Sequence, residues 1–285
     1  MRRPVTWLDV FTATPLSGNQ LAVVHDADGL DDATMLAFAR ETRLSETTFV
    51  QTADRGGADY RNRIWTMAGE LPFAGHPSLG TAVAVARARG ERTAEYVQQT
   101  PAGLQPIGVQ VDGDRARASM LQEPSAFGPA AAVADVLAAA GLREADLDPA
   151  LEPRVVSTGL AHLVVGLRDR AALADAAGER APLRALLEPL GAIVLYLAAV
   201  DGAVAHARGF FLDPGGVVED PATGSAAGPL LGYVRERGGP DELTVHQGIE
   251  MGRPSRIDCA WAGDRPRVSG DVVLVVADGH LLLAD

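Results

Sequence analysis

The sequence contains no lysine, and its 25 basic side chains are all arginine. An enzyme that forms a Schiff base through a lysine amine, such as a pyridoxal-phosphate enzyme or a class I aldolase, is therefore excluded. A P-loop nucleotide site also requires a lysine. No Gly-x-Gly-x-x-Gly sequence follows a predicted strand, so we do not expect a dinucleotide-binding domain. The chain thus lacks residues with which several enzyme classes hold their cofactors.

Thiols and clustered metal ligands are also scarce. Cys259 is the single cysteine, so an internal disulfide and a Cys-x-x-Cys site are excluded. The six histidines are widely spaced and form no His-x-x-x-His pair, so we expect no metal site. A chain without disulfides suits a reducing compartment, which predicts a cytoplasmic location.

Long apolar runs are missing as well, since none approaches the roughly 20 residues that span a bilayer. The N-terminal segment Met1–Asp9 becomes polar too early for the apolar core of a secretion signal. The formal net charge of −12 argues against binding to nucleic acid through bulk electrostatics. We therefore expect neither a membrane nor a nucleic-acid partner, and any anion site must be built locally.

The length of 285 residues and the 47% hydrophobic content predict two sizeable cores. Glu123–Pro129 is a turn-rich stretch with two prolines. We place the boundary there, which gives an N-terminal lobe of residues 1–123 and a C-terminal lobe of residues 124–285.

An internal repeat supports this division. Glu70-x-Pro72-x-x-Gly75 recurs 149 residues later as Glu219-x-Pro221-x-x-Gly224. Further matches keep an offset of 149 or 150, among them Gln98 with Gln247, Gly103 with Gly252, and Gly113-Asp114 with Gly263-Asp264. We infer two homologous lobes, and pockets favour the cleft between two such domains.

Both copies of the repeat join a predicted strand to a predicted helix. Pro77 suits the first helical position, which places His76 at a helix N-terminus, where the helix dipole disfavours the charged imidazolium. In the second copy the pattern predicts a helix over Leu230–Arg237, and Pro229 either lies in its first turn or kinks it. With Pro229 in the first turn, Gly224 and Ser225 would lie in a loop ahead of the regular helix. Both starts could bind a small anion such as a carboxylate, although helix capping explains the same residue types.

Glu46 lies in a predicted strand, Leu44–Val50, that is rich in threonine and apolar residues. Alternation places it on one face with Leu44, Thr48 and Val50. If that face is buried, a carboxylate there would have a raised pKa and could serve as a base. The alternative is an edge strand with Glu46 in solvent, because charged residues are rarely buried without a partner.

These motifs resemble the PhzF (phenazine biosynthesis-like) family of the diaminopimelate epimerase-like superfamily, over essentially the whole chain. The matching segments are Asp9-Val10-Phe11 with Gly18-Asn19, Leu44–Phe49, Leu71–Pro77, Glu219–Ala226, and Gln247-Gly248 with Met251–Ser255.

The resemblance implies an α+β fold of two pseudo-symmetric lobes, each an antiparallel β-sheet wrapped around a central helix, with an active-site cleft between them. It implies Glu46, His76 and Asp220 as catalytic residues. It also implies a substrate-binding set consisting of Asn19, Ser45, Gly75, Gly224 and Ser225. The resemblance implies a homodimer. It implies no cofactor and no metal.

The implied activity is a cofactor-independent isomerisation in which Glu46 moves a proton on a small unsaturated or cyclic carboxylic acid. Two alternatives stay open. One is an epimerase or racemase that acts on a small carboxylic or amino acid without cysteines. The other is a non-catalytic small-molecule-binding protein on the same scaffold. The two-cysteine mechanism of related epimerases is excluded, because the two helix starts carry Gly75-His76 and Gly224-Ser225 instead of cysteine.

Overall fold

The computed structural model describes residues 2–213 and 215–283. The chain divides into two compact units, which are Met1–Met120 with Ser269–Asp285, and Leu121–Val268. The sequence-based division differs from this by assigning the C-terminal residues to the second part. The reason is the last strand, which pairs with the first strand in antiparallel register from Val10↔Val272 to Arg2↔Leu282.

In the described residues the fold is predominantly β, with six α-helices. The strands are β1 (Arg2–Val10), β2 (Asn19–Val24), β3 (Thr47–Gln51), β4 (Tyr60–Trp65), β5 (Glu70–Leu71), β6 (Thr93–Thr100), β7 (Gly103–Asp112), β8 (Arg115–Leu121), β9 (Ala126–Ala130), β10 (Arg154–Ser157), β11 (Ala161–Leu167), β12 (Val194–Asp201), β13 (Val204–Asp213), β14 (Gly216–Asp220), β15 (Glu242–Gln247), β16 (Ser255–Ala262) and β17 (Arg265–Leu282). The helices are α1 (Asp32–Thr42), α2 (Gly75–Arg89), α3 (Val133–Ala140), α4 (Arg170–Asp175), α5 (Arg180–Leu190) and α6 (Gly224–Glu236).

The first unit combines antiparallel hairpins with two parallel pairs. Strands β1 and β2, β3 and β4, β6 and β7, and β7 and β8 pair antiparallel. Strands β2 and β3, and β4 and β6, pair parallel. A parallel pair needs a crossover, and α1 and α2 supply these two crossovers. The antiparallel sheet that the resemblance implies is therefore corrected for this unit, whose strand pairing is mixed.

The same order of pairings recurs in the second unit. Strands β10 and β11, β12 and β13, and β15 and β16 pair antiparallel, whereas β11 and β12, and β13 and β15, pair parallel. Helices α4 and α5 cross between the first parallel pair, and α6 crosses between the second. The sequence repeat thus corresponds to a repeated strand order, and the strands of the second unit also pair in both directions.

The two helices of the repeat are deeply buried in their own units. Every residue of α2 from Gly75 to Ala86 is buried, and the helix contacts β1, β2, β3, β4, β6 and β7. Helix α6 is buried over most of its length and contacts β10, β11, β15 and β16. Strands therefore enclose both helices, because a helix that is buried on every side has no face in contact with water.

Separate apolar clusters stabilise the remaining helices. In the first unit α1 packs Met35 and Ala39 into a cluster with Phe49 and Trp65. Asp31 caps the start of this helix, because its side chain accepts a hydrogen bond from the amide of Thr34. In the second unit α3 and α5 share a cluster with residues of β11 and β12.

Several predicted boundaries were wrong. Helix α6 begins at Gly224, five residues before Pro229, so Gly224 and Ser225 are helical and do not lie in a preceding loop. Thr223 is the residue before that helix, but its side chain makes no capping hydrogen bond. Helix α2 likewise begins two residues before Pro77. Strand β3 begins at Thr47, which leaves Glu46 just ahead of it.

No helix in the described part of the chain is both long enough and apolar enough to cross a membrane.

Candidate active site

Glu46 and His76 face each other in the first unit. Nε2 of His76 lies 3.6 Å from Oε2 of Glu46, with the two side chains 4% and 17% exposed. Glu46 comes from the bend before β3, and His76 is the second residue of the buried helix α2. Glu46 therefore fits neither sequence-based alternative, the buried strand face or the solvent-exposed edge strand. Its side chain is mostly buried, but the residue lies ahead of the strand.

The His76 ring is held by Asn19, the first residue of β2. The amide nitrogen of Asn19 lies 3.1 Å from Nδ1 of His76. With that nitrogen as the donor, Nδ1 accepts the hydrogen bond, and the proton of the neutral ring is on Nε2, toward Glu46. Asn19 is 1% exposed. Asn19 is therefore buried against the His76 ring and orients it.

The charge state of His76 is set by burial. Desolvation lowers the pKa of His76 from 6.5 to about 3, and a smaller opposing influence of the Gln20 backbone does not offset it. The ring is therefore neutral near pH 7, as expected at a helix N-terminus. A neutral imidazole can donate one hydrogen bond and accept one, but it cannot neutralise a carboxylate.

The remaining first-unit residues of the predicted site lie beside this pair. Gly75 is the first residue of α2 and is buried, and Ser45 is half-buried in the bend before Glu46. The structure thus brings together Glu46, His76 and Asn19, with Ser45 and Gly75 adjacent to them in sequence.

In the second unit Asp220 ends β14 and is 8% exposed. Its Oδ2 accepts a hydrogen bond from the Thr223 hydroxyl at 2.7 Å. Thr223 in turn is held by Gln247, whose Oε1 accepts from the Thr223 amide at 3.1 Å and whose Nε2 lies 2.9 Å from the Thr223 hydroxyl oxygen. Asp220 is therefore fixed through its neighbours at the start of α6.

Two further buried side chains, Tyr196 and Gln98, contribute hydrogen bonds near the helix starts. The sequence-based site does not include them. Tyr196 donates its hydroxyl to Oε1 of Gln247 at 3.0 Å. The repeat partner of that glutamine, Gln98, has a similar place in the first unit, where it donates to the Ser78 hydroxyl in the first turn of α2 at 2.7 Å. The repeat matches these two glutamines in sequence and could have identified them. No sequence signal points to Tyr196.

Ser225, the second residue of α6, contacts a buried histidine that the sequence did not suggest. Its Oγ lies 3.1 Å from Nε2 of His162, and Nδ1 of His162 lies 2.9 Å from the Leu160 carbonyl. The carbonyl of Gly224 accepts a hydrogen bond from Nε2 of Gln122 at 2.9 Å. The predicted second-unit residues Asp220, Gly224 and Ser225 thus lie within one short segment.

The glutamates of the repeated motif have a structural role. Glu70 pairs with Arg63 of β4, and Glu219 pairs with Arg208 of β13 through contacts of 2.8 and 2.7 Å. The hydrogen bonds from Arg208 to the Glu219 carboxylate raise the pKa of this arginine. Both arginines are largely buried, so these pairs fix the strands that lead into α2 and α6.

Cys259 lies buried in β16, and burial raises the pKa of its thiol. A thiol in this setting is not a reactive nucleophile.

Comparison with known proteins identifies the family. The family described as phenazine biosynthesis-like protein, PhzC-PhzF, matches residues 8–278. The chain belongs to the PhzC-PhzF family. A trans-2,3-dihydro-3-hydroxyanthranilate isomerase from Pseudomonas aeruginosa is 39% identical over 267 residues, which cover 92% of this chain and 91% of that protein.

Solved structures of similar proteins agree with the PhzC-PhzF assignment. A predicted epimerase from Pseudomonas aeruginosa is 37% identical, with a TM-score of 0.87 over 99% of both chains. A PhzF-family phenazine biosynthesis protein from Bacillus anthracis is 27% identical, with a TM-score of 0.85 over 99% of this chain and 100% of that one. The predicted family membership is confirmed. The prediction that the chain is an isomerase is also confirmed, because that is the activity in the names of its curated relatives.

Proposed function

We propose that this chain is a cofactor-independent isomerase that moves a proton on a small unsaturated or cyclic carboxylic acid, with Glu46 as the general acid and base. The observation that carries the proposal is the contact of Glu46 with a buried, neutral histidine at 3.6 Å. A carboxylate that is 17% exposed can reach a bound ligand, yet it is shielded from most of the water that would compete for the proton.

In the proposed reaction Glu46 removes a proton from a carbon next to a conjugated system. The electron pair of the broken C–H bond enters that system and is delocalised toward the substrate carboxylate. Glu46 then returns the proton to a different carbon, so a double bond moves and no atom is gained or lost. One residue acts as base and then as acid, which needs no redox partner.

His76 has a supporting role in this proposal. Its neutral ring presents Nε2–H toward Glu46, so it can hydrogen-bond to the carboxylate or to a substrate oxygen without carrying charge. Asp220 is proposed as a further catalytic residue that positions the substrate or relays the proton. Gly224 and Ser225 are proposed to bind the substrate, together with Asn19, Ser45 and Gly75. The amides at the start of a helix lack intrahelical partners and favour an anion, which suits a small carboxylate ligand.

The name of the Pseudomonas aeruginosa relative suggests the first substrate to test, trans-2,3-dihydro-3-hydroxyanthranilate. The purified protein is incubated with it in D2O, and the product is followed by NMR. Isomerisation moves a double bond, and any exchange of the shuttled proton introduces deuterium at the acceptor carbon. If neither the substrate nor a panel of unsaturated cyclic acids shifts a double bond, the proposal is wrong.

Epimerisation is the second candidate, favoured by the solved structure of a predicted epimerase with 37% identity. Asp220 offers a second carboxylate that could act against Glu46. In D2O an epimerase exchanges a proton at one stereocentre and inverts it, and every double bond stays in place. Chiral analysis of the products therefore separates the two activities.

Other expectations from the sequence stay predictions. These are the arrangement of two lobes around a cleft, a homodimer, and a cytoplasmic location. Light scattering coupled to size-exclusion chromatography would measure the oligomeric state directly.

A further inference from the structure

His162 is a buried histidine that the proposed chemistry does not use. It is the second residue of β11 and is 0% exposed. Each of its ring nitrogens has one close partner: the Leu160 carbonyl at 2.9 Å from Nδ1, and the Ser225 hydroxyl at 3.1 Å from Nε2. Both ring nitrogens are therefore engaged, and the question is which of them carries the proton.

The Leu160 carbonyl decides the tautomer. A carbonyl oxygen can accept a hydrogen bond but cannot donate one, so Nδ1 must carry the proton that lies between them. Burial lowers the pKa of His162 to about 4, so the ring is neutral at pH 7 and has one proton in total. Nε2 therefore has a lone pair, and the Ser225 hydroxyl must donate to it.

A serine hydrogen-bonded to a histidine can also indicate a nucleophile. The charge state argues against that function here. A histidine whose pKa is about 4 holds a proton poorly, so it is a weak base for activating a hydroxyl near pH 7. The contact therefore sets the direction of the Ser225 hydroxyl proton and does not remove it.

We propose that His162 is a positioning residue that fixes the Ser225 hydroxyl as an acceptor, so that this hydroxyl recognises an amino or hydroxyl group of the substrate and not its carboxylate. This inference rests on the proposed function, which assigns Ser225 to substrate binding. The Ser225 proton points at Nε2 of His162, so a ligand meets the oxygen lone pairs. A carboxylate placed there would be repelled, whereas an N–H or O–H donor would be bound.

Two features keep this arrangement rigid. Ser225 follows Gly224, whose carbonyl is held by Gln122, and the other end of the Gln122 amide accepts from the Thr158 hydroxyl at 2.7 Å. Gln122, Thr158 and His162 are all buried. The backbone at the start of α6 is therefore fixed, which keeps Oγ of Ser225 beside Nε2 of His162. The carboxylate of the substrate is left to backbone amides at the start of α6.

The tautomer can be read directly in the full-length wild-type protein labelled with 15N-histidine. Long-range 1H–15N spectra distinguish a protonated ring nitrogen from an unprotonated one. We expect His162 to be protonated at Nδ1 and unprotonated at Nε2 near pH 7. His76 is a contrast in the same spectrum, because its contact with Asn19 predicts the opposite tautomer. A proton on Nε2 of His162 would overturn the proposal.

Ligand recognition is tested by equilibrium binding of two stable acids. 3-Hydroxyanthranilate carries a carboxylate with amino and hydroxyl donors, and benzoate carries the carboxylate without them. Ser225→Ala should weaken binding of 3-hydroxyanthranilate roughly tenfold, because one hydrogen bond is lost. Benzoate should be unaffected within about twofold, since it lacks the donor that the bond requires. Equal weakening of both acids would show that the hydroxyl serves the carboxylate and would overturn the proposal.

His162→Phe removes the acceptor and frees the Ser225 hydroxyl to turn. We expect this variant to discriminate less between the two acids than the wild type does, provided that its circular dichroism is native. If His162→Phe does not fold, the wild-type spectrum and the Ser225→Ala binding data still test whether the Ser225 hydroxyl acts as an acceptor. If the wild type binds neither acid and turns over no substrate, the proposed function fails, and the tautomer of His162 still decides the polarity of Ser225.

Discussion

At the scale of single residues, the proposed chemistry depends on how the His76 ring is oriented. Asn19 supports one ring nitrogen, and the other faces Glu46. If Nδ1 lost its partner, the ring could flip or change tautomer, and the N–H toward Glu46 would be replaced by a lone pair. That lone pair would face the carboxylate and oppose its ionised form.

We therefore expect Asn19→Ala to lower kcat roughly 10–100-fold with a small change in KM, because a misplaced catalytic group raises the barrier more than it weakens binding. Steady-state kinetics measures this. Thr6→Val is a matched control, since it removes a 2.9 Å contact to the ring of His25 in the same unit. If both variants reduced kcat equally, the effect would be general destabilisation and not orientation of His76.

Sequence and structure agree unevenly at this scale. Glu46 and His76 were predicted from motifs, and the structure brings them together. The substrate-binding role expected for Asn19 from its motif stays a prediction, and the motif alone does not show that this side chain is buried against His76. His162 and Tyr196 lie more than 25 residues from the helix that they support. Contacts over such distances depend on strand register, which the sequence alone does not specify.

At the scale of elements, the helices of the repeat show what an internal offset can predict. Gly75 and Gly224 are 149 residues apart, and each is the first residue of its helix. Pro229 misled the interpretation because proline is common in the first turn and rare further in. In α6 it is the sixth residue, and the hydrogen bond that it cannot donate is tolerated inside a buried helix.

Gly228 of α6 offers a test of how tightly this helix start is braced. A Cβ at this position would overlap Oε1 of Gln122, the amide that holds the Gly224 carbonyl. Gly→Ala in a helix normally stabilises by about 1 kcal/mol. In this protein the new methyl group should displace the buried amide of Gln122, which should cost about 1–3 kcal/mol. That cost should match or exceed the stabilisation expected from alanine.

Denaturant unfolding of Gly228→Ala should therefore show no gain in the free energy of unfolding, and substrate binding should weaken as Gly224 shifts. Gly56→Ala is the control, because a Cβ there meets nothing within 4 Å. A Gly228→Ala protein that is more stable than wild type, with unchanged binding, would show that Gln122 does not brace this helix.

Some elements were not predicted because their causes are tertiary. Strand β9 is short and exposed and contains Pro129, so its sequence is typical of a turn. It forms because it pairs with β10. The parallel pairs were missed for a related reason, since alternation of side chains is the same in parallel and antiparallel strands.

At the scale of the whole molecule, His76 and His162, which are buried as neutral groups, connect pH to stability. Burial lowers the pKa of His76 to about 3 and that of His162 to about 4. In the unfolded chain both groups titrate near 6.5, so between about pH 4 and 6.5 the unfolded state binds more protons than the folded state. The contribution of these histidines to the free energy of unfolding is therefore fully present above pH 6.5 and is lost as the pH falls through this window.

In that window each of these histidines adds up to about 1.4 kcal/mol per pH unit to the slope of the free energy of unfolding against pH. Urea unfolding from pH 4.5 to 7 should show this slope in the wild type. His162→Gln should flatten it by up to one such increment, whereas the exposed His280→Gln should leave it unchanged. A His162→Gln slope equal to that of the wild type would mean that His162 is not buried as a neutral group.

The return of the C-terminal strand to the first unit was only partly foreseen. The sequence shows an apolar C-terminal stretch, but it does not show which strand pairs with it. Strand β17 is 18 residues long, and its pairing with β1 assigns its C-terminal part to the first unit. A boundary drawn from turn-rich composition cannot detect such a pairing, because the partner strand is more than 250 residues away.

The central claim is that the carboxylate of Glu46 carries the proton. Its most direct test is turnover of trans-2,3-dihydro-3-hydroxyanthranilate by Glu46→Gln, with Glu41→Gln on the exposed part of α1 as the matched control. We predict that Glu46→Gln loses at least about 100-fold in kcat while its melting temperature and ligand binding are preserved, and that Glu41→Gln behaves as wild type. A folded Glu46→Gln protein with more than about a tenth of wild-type kcat would contradict the claim, because a removed general base normally costs far more.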